Sequence, residues 1–514
     1  MSPENPNRWW TLGCVAIGTF MLLLDVMIVN VALPKIQSSL KASFTDLQWV
    51  IDAYALTLAA LLLVSGSLAD LLGRRRVFTL GLGLFSVASL ACGLSTSPLF
   101  LILARGVQGI GGAMLFACSL ALIGTAYRGR DLATAFGVYG ATIGFAAAVG
   151  PVVGGVLTDT LGWESIFLVN VPIGIGAIYM TLTKVRESRD PHPAGPDWIG
   201  AALFSGALFM LVFALIRGND EGWSSAPIVG LITGSIVAMV AFVTVELRQD
   251  HPMFDLSLFR KPAFAGTSIG AFALSLSMIS MFLYIVLYIQ DVLGFSPLQT
   301  GLRFLPLSVL SFFVAFAAGR LGDRIPSRVL LGGGLACVGL GLLLMGGLTL
   351  QSHWTHLLAG FMLAGIGIGL INPTLASIAL GVVTPDRSGM ASGINNTFRQ
   401  VGIATGIASL GAIFQSKVHD SVKAGLAGRP GASHAGQIAH AVTAGGGKQI
   451  EALAAPGSRP MLAHVANSAF VSGINELFVV AGVIAFVGAV LAFVLVRPRD
   501  FVGAQQPEPV AVAA

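Results

Sequence analysis

Fourteen apolar runs, most of them about as long as the roughly 20 residues that a helix needs to cross a bilayer, dominate this 514-residue chain. They fall at Trp10–Leu33, Trp49–Ala69, Val77–Ser95, Leu99–Ala126, Ala133–Leu157, Ile166–Thr183, Trp198–Ile216, Pro227–Val245, Phe264–Gln290, Thr300–Ala318, Val329–Leu350, His356–Val383, Met390–Phe414 and Ser468–Val496. Lipid cannot satisfy an open backbone, so such runs must be helical. The expected fold is therefore an all-α polytopic membrane protein with 14 transmembrane helices. Only 10% of the residues are charged, against about 25% in soluble chains, and the mean hydropathy is +0.83. A water-soluble fold could not hide that much apolar surface. The net charge of +5 comes from scattered loop arginines rather than a basic patch, which argues against nucleic acid as a partner.

Most of the lysines and arginines fall in alternate loops, among them Arg74–Arg76, Lys184, Arg186, Arg260, Lys261, Arg324, Arg328 and Arg497. By the positive-inside bias those loops are cytoplasmic, and both termini with them. The first run ends in LDVMIVNVALP rather than at a small-residue cleavage site, so it reads as a retained span. Cys14, Cys92, Cys118 and Cys337 lie within apolar runs and lack metal-binding spacing; they read as small core residues.

The chain is built twice. Gly66 and Asp70 match Gly319 and Asp323, and Arg75 matches Arg328, at one common offset. QGIGG at Gln108–Gly112 is echoed by AGIGI at Ala364–Ile368. Two six-helix repeats follow, over residues 1–190 and 261–500, with two inserted helices over 191–260 between them. Parallel repeats of this kind are typical of transporters that rock around a central site. The polar segment 415–467 is expected to be an outer loop, ordered in part, with short helices flanking its ends. Residues 501–514 are expected to form a disordered tail.

A handful of polar residues interrupts the apolar runs. Gly66–Arg76, GSLADLLGRRR, is a tight charged loop in which Gly66 and Gly73 allow the turn. Asp70 can pair with Arg74 or sit against the helix N-terminus opened by Pro385–Gly389, latching the cytoplasmic ends together. Arg75 and Arg76 could gate or simply set topology. Asp25 stands in mid-membrane between apolar neighbours, where an unpaired carboxylate is expensive. It is suited to binding and releasing a proton, and when ionised to attracting a cation; a capping or packing role is the alternative. Arg105 is the sole charge in its run and demands a partner or a watery cavity, with a clamp between the first and fourth spans as the plainer role. Gly150 and Gly154 form a small-xxx-small pair beside Gly155, and Pro151 allows a bend. Asn30, Asp52, Asn372, Arg399 and Glu476 are candidates for a substrate cavity. Asp52 could instead be a solvated residue near a helix end, and Asn30 and Asn372 could bond between helices.

These segments together resemble the major facilitator superfamily, in its fourteen-span drug:proton antiporter branch. GSLADLLGRRR is similar to the superfamily's loop signature after the second helix, and LILARGVQGIGGA at Leu101–Ala113 to its fourth-helix motif. GPVVGG at Gly150–Gly155 resembles the motif associated with export by antiport. LDVMIVNVALP at Leu24–Pro34, IFLVNVPIG at Ile166–Gly174 and GINNTFRQVGIATG at Gly393–Gly406 are similar to segments of the fourteen-span branch. GWES at Gly162–Ser165 departs from the pattern, with Glu164 where the family often has arginine. The resemblance implies a proton-coupled transporter exporting amphipathic or cationic drugs by alternating access, with Arg105 taking part in proton transfer through Asp25 and the fifth helix biasing the cycle toward export. Its cavity would be lined by helices 1, 2, 4 and 5 and their counterparts in the second repeat. A dedicated exporter of one metabolite, amino acid or lipid is the alternative. Expected partners are protons, the small-molecule cargo and the lipid bilayer of a bacterial cytoplasmic membrane, with the chain acting as a monomer. Neither a GxxxxGK[ST] loop nor an HExxH arrangement occurs, so no cofactor, no ATP and no enzymatic reaction are expected.

Overall fold

The computed structural model describes residues 8–127, 130–189, 195–249, 252, 254–321, 324–383, 388–428, 434–443, 459–497 and 500–501, and their regular structure is entirely helical. The spans are α1 (Arg8–Leu40), α2 (Phe44–Leu72), α3 (Arg74–Gly93), α4 (Pro98–Ala126), α5 (Arg130–Thr160), α6 (Ser165–Lys184), α7 (Trp198–Glu221) and α8 (Ala226–Glu246), then α9 (Pro262–Val292), α10 (Pro297–Leu321), α11 (Ser327–Met345), α12 (Leu358–Gly381), α13 (Ser388–Gly425) and α14 (Arg459–Leu495). Thirteen are long and apolar enough to cross a membrane outright. The fourteenth, α5, passes as a pair of segments, Val138–Ala146 and Val149–Thr160, bent by 42°. Pro151 is the cause, since its ring clashes one turn back and leaves the carbonyl there without a donor.

Local signals set the helix starts. Ser43 caps α2 in a reciprocal box: its hydroxyl accepts from the Asp46 N–H at 3.1 Å, while the Asp46 carboxylate accepts from the Ser43 N–H at 2.8 Å. Ser97 accepts from the Phe100 N–H, and Pro98 opens α4. Gly73 makes the turn between α2 and α3 with φ +114°. A Cβ there would also lie 2.6 Å from the Glu187 carboxylate.

The two six-helix repeats are visible in the packing. Gly109 of α4 lies so close to α2 that a Cβ would come 2.5 Å from the Tyr54 carbonyl oxygen. Gly365 of α12 stands in the same relation to α10, 2.5 Å from the Leu307 carbonyl oxygen. Two residues on, Gly111 abuts α3 at Phe85 and Gly367 abuts α11 at Gly334. The inserted helices α7 and α8 pack on each other, and α7 packs against α2 and α13. The exposed side chains of α8, including Ile236, Val237 and Val240, are what a lipid-facing surface requires.

Three differences from the sequence reading have clear physical reasons. α1 runs past Pro34 to Leu40 because Ile36 and Gln37 are still buried. The segment 415–467 is shorter as a loop than expected. α13 continues to Gly425, a short helix covers Ala435–Thr443, and α14 begins at Arg459. The stripe Phe414, Val418, Val422, buried against Val465 and Ala469, is too narrow to register as an apolar run but suffices to extend two packed helices. α9 is broken by two π-helical turns, Ser275–Ile279 and Tyr288–Val292. The expected tail and Asp323 lie outside the described residues.

One face of the bundle carries Gly73, Lys184, Lys261 and Arg497 and is rich in arginine. On the opposite face several contacts join the repeats. Gln290 Nε2 donates to the Val31 carbonyl at 2.8 Å, Ser296 Oγ to Asp159 Oδ2 at 3.0 Å, and Gln48 Nε2 to the Ile407 carbonyl at 3.0 Å.

Candidate functional site

Asp25 has no exposed surface. It is not unpaired, as a lone acid in an apolar run suggested: Arg105 Nη1 donates to its Oδ2 at 2.5 Å, Gln108 Nε2 to its Oδ1 at 2.9 Å, and Asn170 Nδ2 to the same oxygen at 3.2 Å. Four helices thus converge on one carboxylate, because Ser89 of α3 closes the set by accepting from Gln108 and Asn170. Arg105 is equally well held. Its Nε donates to the Val50 carbonyl at 3.0 Å, its Nη1 also to Gln108 Oε1 at 2.7 Å, and its guanidinium lies over the Tyr54 ring, 4.3 Å from the centroid. A carboxylate and a guanidinium buried in a dry bundle need such saturation. Gln108 and Asn170 were not singled out from the sequence, although Gln108 follows Arg105 by three residues and so shares its helix face.

The cavity between the repeats lies on the other side of α1. Leu23, Met27, Asn30 and Val31 line it, and Asp25 sits near 200° from Leu23 and from Met27 around a 3.6-residue helix. α5 contributes Ile143 and Pro151. α9, α10, α12 and α13 contribute Ser275 and Phe282, Phe304 and Ser308, Asn372, and Arg399. Helices α2 and α4, expected in the lining, supply none of these residues, because α1 turns its opposite face to α4 through the ion pair. Asn30, Asn372 and Arg399 are brought together here, with Arg399 Nη2 donating to Asn372 Oδ1 at 2.9 Å. Asn30 bonds the Val26 carbonyl of its own helix.

Asp52 and Glu476 are elsewhere. Asp52 is fully buried rather than solvated, and neither carboxylate oxygen has a hydrogen-bond partner among the described residues; it lies one turn from Gln48 on the face of α2 that meets α13. Glu476 pairs with Lys417 at 3.1 Å, both side chains close to half exposed, because the extension of α13 carries the lysine past it.

At the arginine-rich face, Arg74 donates to Asp70 Oδ1 from Nε at 2.9 Å and from Nη2 at 2.8 Å. Glu187, just past α6, accepts from the Arg75 N–H at 3.0 Å and lies 3.7 Å from Arg76 Nε. The loop is therefore tied to the end of its own repeat. Of Pro385–Gly389, the other partner considered for Asp70, residues 385–387 lie outside the described residues. Gly66 has open space around it. On α5 the small residues do what their spacing implies. Met27 and Ile28 of α1 occupy the room left at Gly150 and Gly154, and Gly155 admits the Pro297–Leu298 backbone of the second repeat.

A membrane bundle of two six-helix repeats around a central cavity is the architecture of a secondary transporter, and comparison with known proteins agrees. The sequence model of the Major Facilitator Superfamily matches residues 15–407. The chain belongs to that superfamily and is a multi-pass membrane transporter rather than an enzyme. It is 37% identical over 412 residues to the "Multidrug resistance protein Stp" of Mycobacterium tuberculosis (strain CDC 1551 / Oshkosh), which covers 80% of this chain and 76% of that one. It is 31% identical over 491 residues to the "Tetracenomycin C resistance and export protein" of Streptomyces glaucescens, covering 94% and 91%. Among solved structures, the inward-facing, occupied form of a bacterial homologue of the human lysosomal transporter Spinster matches with a TM-score of 0.65 at 17% identity, over 99% of this chain and 100% of that one. That likeness concerns the fold.

Proposed function

We propose that the protein exports amphipathic small molecules, antibiotics and drugs among them, in exchange for protons. It would sit in the cytoplasmic membrane of a bacterium, with the arginine-rich face and both termini inside. The relatives named for multidrug resistance and for tetracenomycin C resistance and export support the cargo class. The observation that carries proton coupling is Asp25, an acid with no exposed surface held by Arg105, Gln108 and Asn170.

The network suggests how coupling works. Protonating Asp25 removes the charge that Arg105 neutralises and so loosens the junction of α1, α4 and α6. The same α1 presents Met27, Asn30 and Val31 to the cavity, so any shift of α1 alters the cargo site. Proton and cargo then communicate through one helix instead of competing for a single acid. The pliable α5, bent near Pro151 and seated on α1 through Gly150 and Gly154, supplies the moving partner. The arginine-rich loop around Asp70 and Arg74 braces the cytoplasmic ends of α2 and α3 in this cycle.

The decisive measurement is efflux from proteoliposomes under an imposed pH difference, with Asp25→Asn beside the parent. The parent should respond to the gradient, and the variant should remain folded and bind cargo but lose the response. A parent indifferent to the gradient would overturn proton exchange.

A further inference from the structure

We propose that the central cavity takes amphipathic molecules bearing a negative charge, such as an aromatic carboxylate, sulfonate or ionised phenol, with Arg399 as the group that holds the charge. This rests on the transporter reading above and names the chemistry of its cargo.

The walls divide into an apolar part and one cationic point. Leu23, Met27, Phe282 and Phe304 form apolar walls, with Asn30, Ser275, Ser308 and Asn372 as neutral polar groups. Of the described residues that line the space, Arg399 alone carries a charge, and none is Asp or Glu. The acids that could have offered a cation site are committed elsewhere. Asp25 is bonded to Arg105 on the far face of α1, Asp52 is sealed against α13, Glu476 meets Lys417, and Asp70 meets Arg74.

Arg399 itself is under-satisfied. A guanidinium has five N–H donors, and the bond it makes to another side chain goes to the neutral Asn372 oxygen. Among the described residues its buried Nε has no partner, and no carboxylate lies within ion-pair distance of it. A cation in apolar surroundings without a counter-charge is costly, so an anionic cargo would supply what the protein does not. The planar fork of arginine also suits the two oxygens of a carboxylate or sulfonate. A cationic cargo in the same space would meet repulsion and find no carboxylate on the walls. The plainer role, a clamp between α12 and α13 through Asn372, predicts no charge preference.

Naphthalene-2-sulfonate and 2-naphthyltrimethylammonium are aromatic ions of similar size and opposite charge. Their binding to the purified full-length protein in nanodiscs can be measured by equilibrium dialysis against empty nanodiscs. The anion should bind about tenfold or more tightly than the cation, the range expected for a charge-assisted hydrogen bond. Arg399→Gln should remove that preference by weakening the anion alone, and Arg399→Lys should keep most of it. Asn372→Asp, which gives the arginine an internal counter-ion, should weaken the anion as Arg399→Gln does and keeps the test decisive if that variant does not fold. Equal binding of the two ions, tighter binding of the cation, or anion affinity unchanged in both Arg399→Gln and Asn372→Asp would overturn the proposal and leave drug export standing. So would failure of both ions to bind a protein that still expels other amphipathic compounds from cells. If neither ion binds and cells gain no efflux of any such compound, the export reading falls, and this proposal with it.

Discussion

Gly154 of α5 lies against Ile28 of α1 so closely that a Cβ on the glycine would come 2.9 Å from the Ile28 Cα and 3.0 Å from its Cβ. The obstructing atoms include backbone, so the neighbour cannot simply swing away. Between transmembrane helices, where lipid is as apolar as the side chains, this close approach is itself a source of affinity. Gly154→Ala should therefore destabilise the protein by about 1–3 kcal/mol, the usual cost of overpacking. Gly83→Ala is the control, because nothing lies within 4 Å of a Cβ there. Thermal unfolding in detergent should show a lowered midpoint for the first and an unchanged or raised one for the second.

The ion pair of Asp25 and Arg105 should respond asymmetrically to substitution. Arg105→Ala strands a carboxylate in the bundle and should cost about 3–5 kcal/mol, seen as a lowered unfolding temperature and reduced yield. The double variant Asp25→Asn with Arg105→Gln leaves two neutral hydrogen-bonding groups in place. It should recover much of that stability without regaining the pH-gradient response. A double variant as unstable as Arg105→Ala alone would show that stranded charge is not the cause.

The turn at Gly73 combines a backbone in the left-handed region, φ +114°, with the Glu187 carboxylate packed against the Cα. Gly73→Ala meets both obstacles. A strained residue costs about 1–3 kcal/mol, and the displaced glutamate would lose its bond to the Arg75 N–H. Combining Gly73→Ala with Glu187→Gly removes the clash and leaves the backbone strain. The loss caused by Gly73→Ala in a Glu187→Gly background measures the backbone strain, and the extra loss in the parent measures the clash; equal losses would mean that backbone strain accounts for the whole effect.

Asp52 contributes no hydrogen bond to the packed junction of α2 and α13. A buried polar group without partners costs about 1–3 kcal/mol, so Asp52→Leu should raise the unfolding temperature. Efflux assays on the same variant give the second readout. Greater stability with diminished transport would mean that this acid is kept for function at the expense of folding. A lowered unfolding temperature would show that Asp52 has a bonding partner in the membrane-embedded protein.

Much of this architecture could be read along the chain. The apolar runs located the spans to within several residues except at the facing ends of α13 and α14, which reach Gly425 and start at Arg459, and the offset between Gly66–Arg76 and its echo announced the repeat, which the Gly109 and Gly365 junctions then display in three dimensions. Asp25 and Arg105 stood out because a charge amid leucines is rare. Their bonding partners did not, since glutamine, asparagine and serine are common in membrane helices and nothing local tells which face they occupy. Asn30, Asn372 and Arg399 were grouped with Asp52 and Glu476 as polar interruptions of apolar runs. The five are distinguished by helix rotation, which a run hydrophobic on all sides does not encode.

Composition and the apolar runs were enough to decide that the chain crosses a membrane about fourteen times, because lipid demands long, internally bonded helices wherever the backbone passes through it, and the echo of Gly66–Arg76 was enough to show a repeat. Only tertiary packing decided that α1 separates the buried ion pair from the cavity, that an arginine rather than a carboxylate faces that cavity, and that Glu476 turns toward Lys417. Each of these depends on how neighbouring helices rotate and approach, which is set by contacts between residues far apart in the chain.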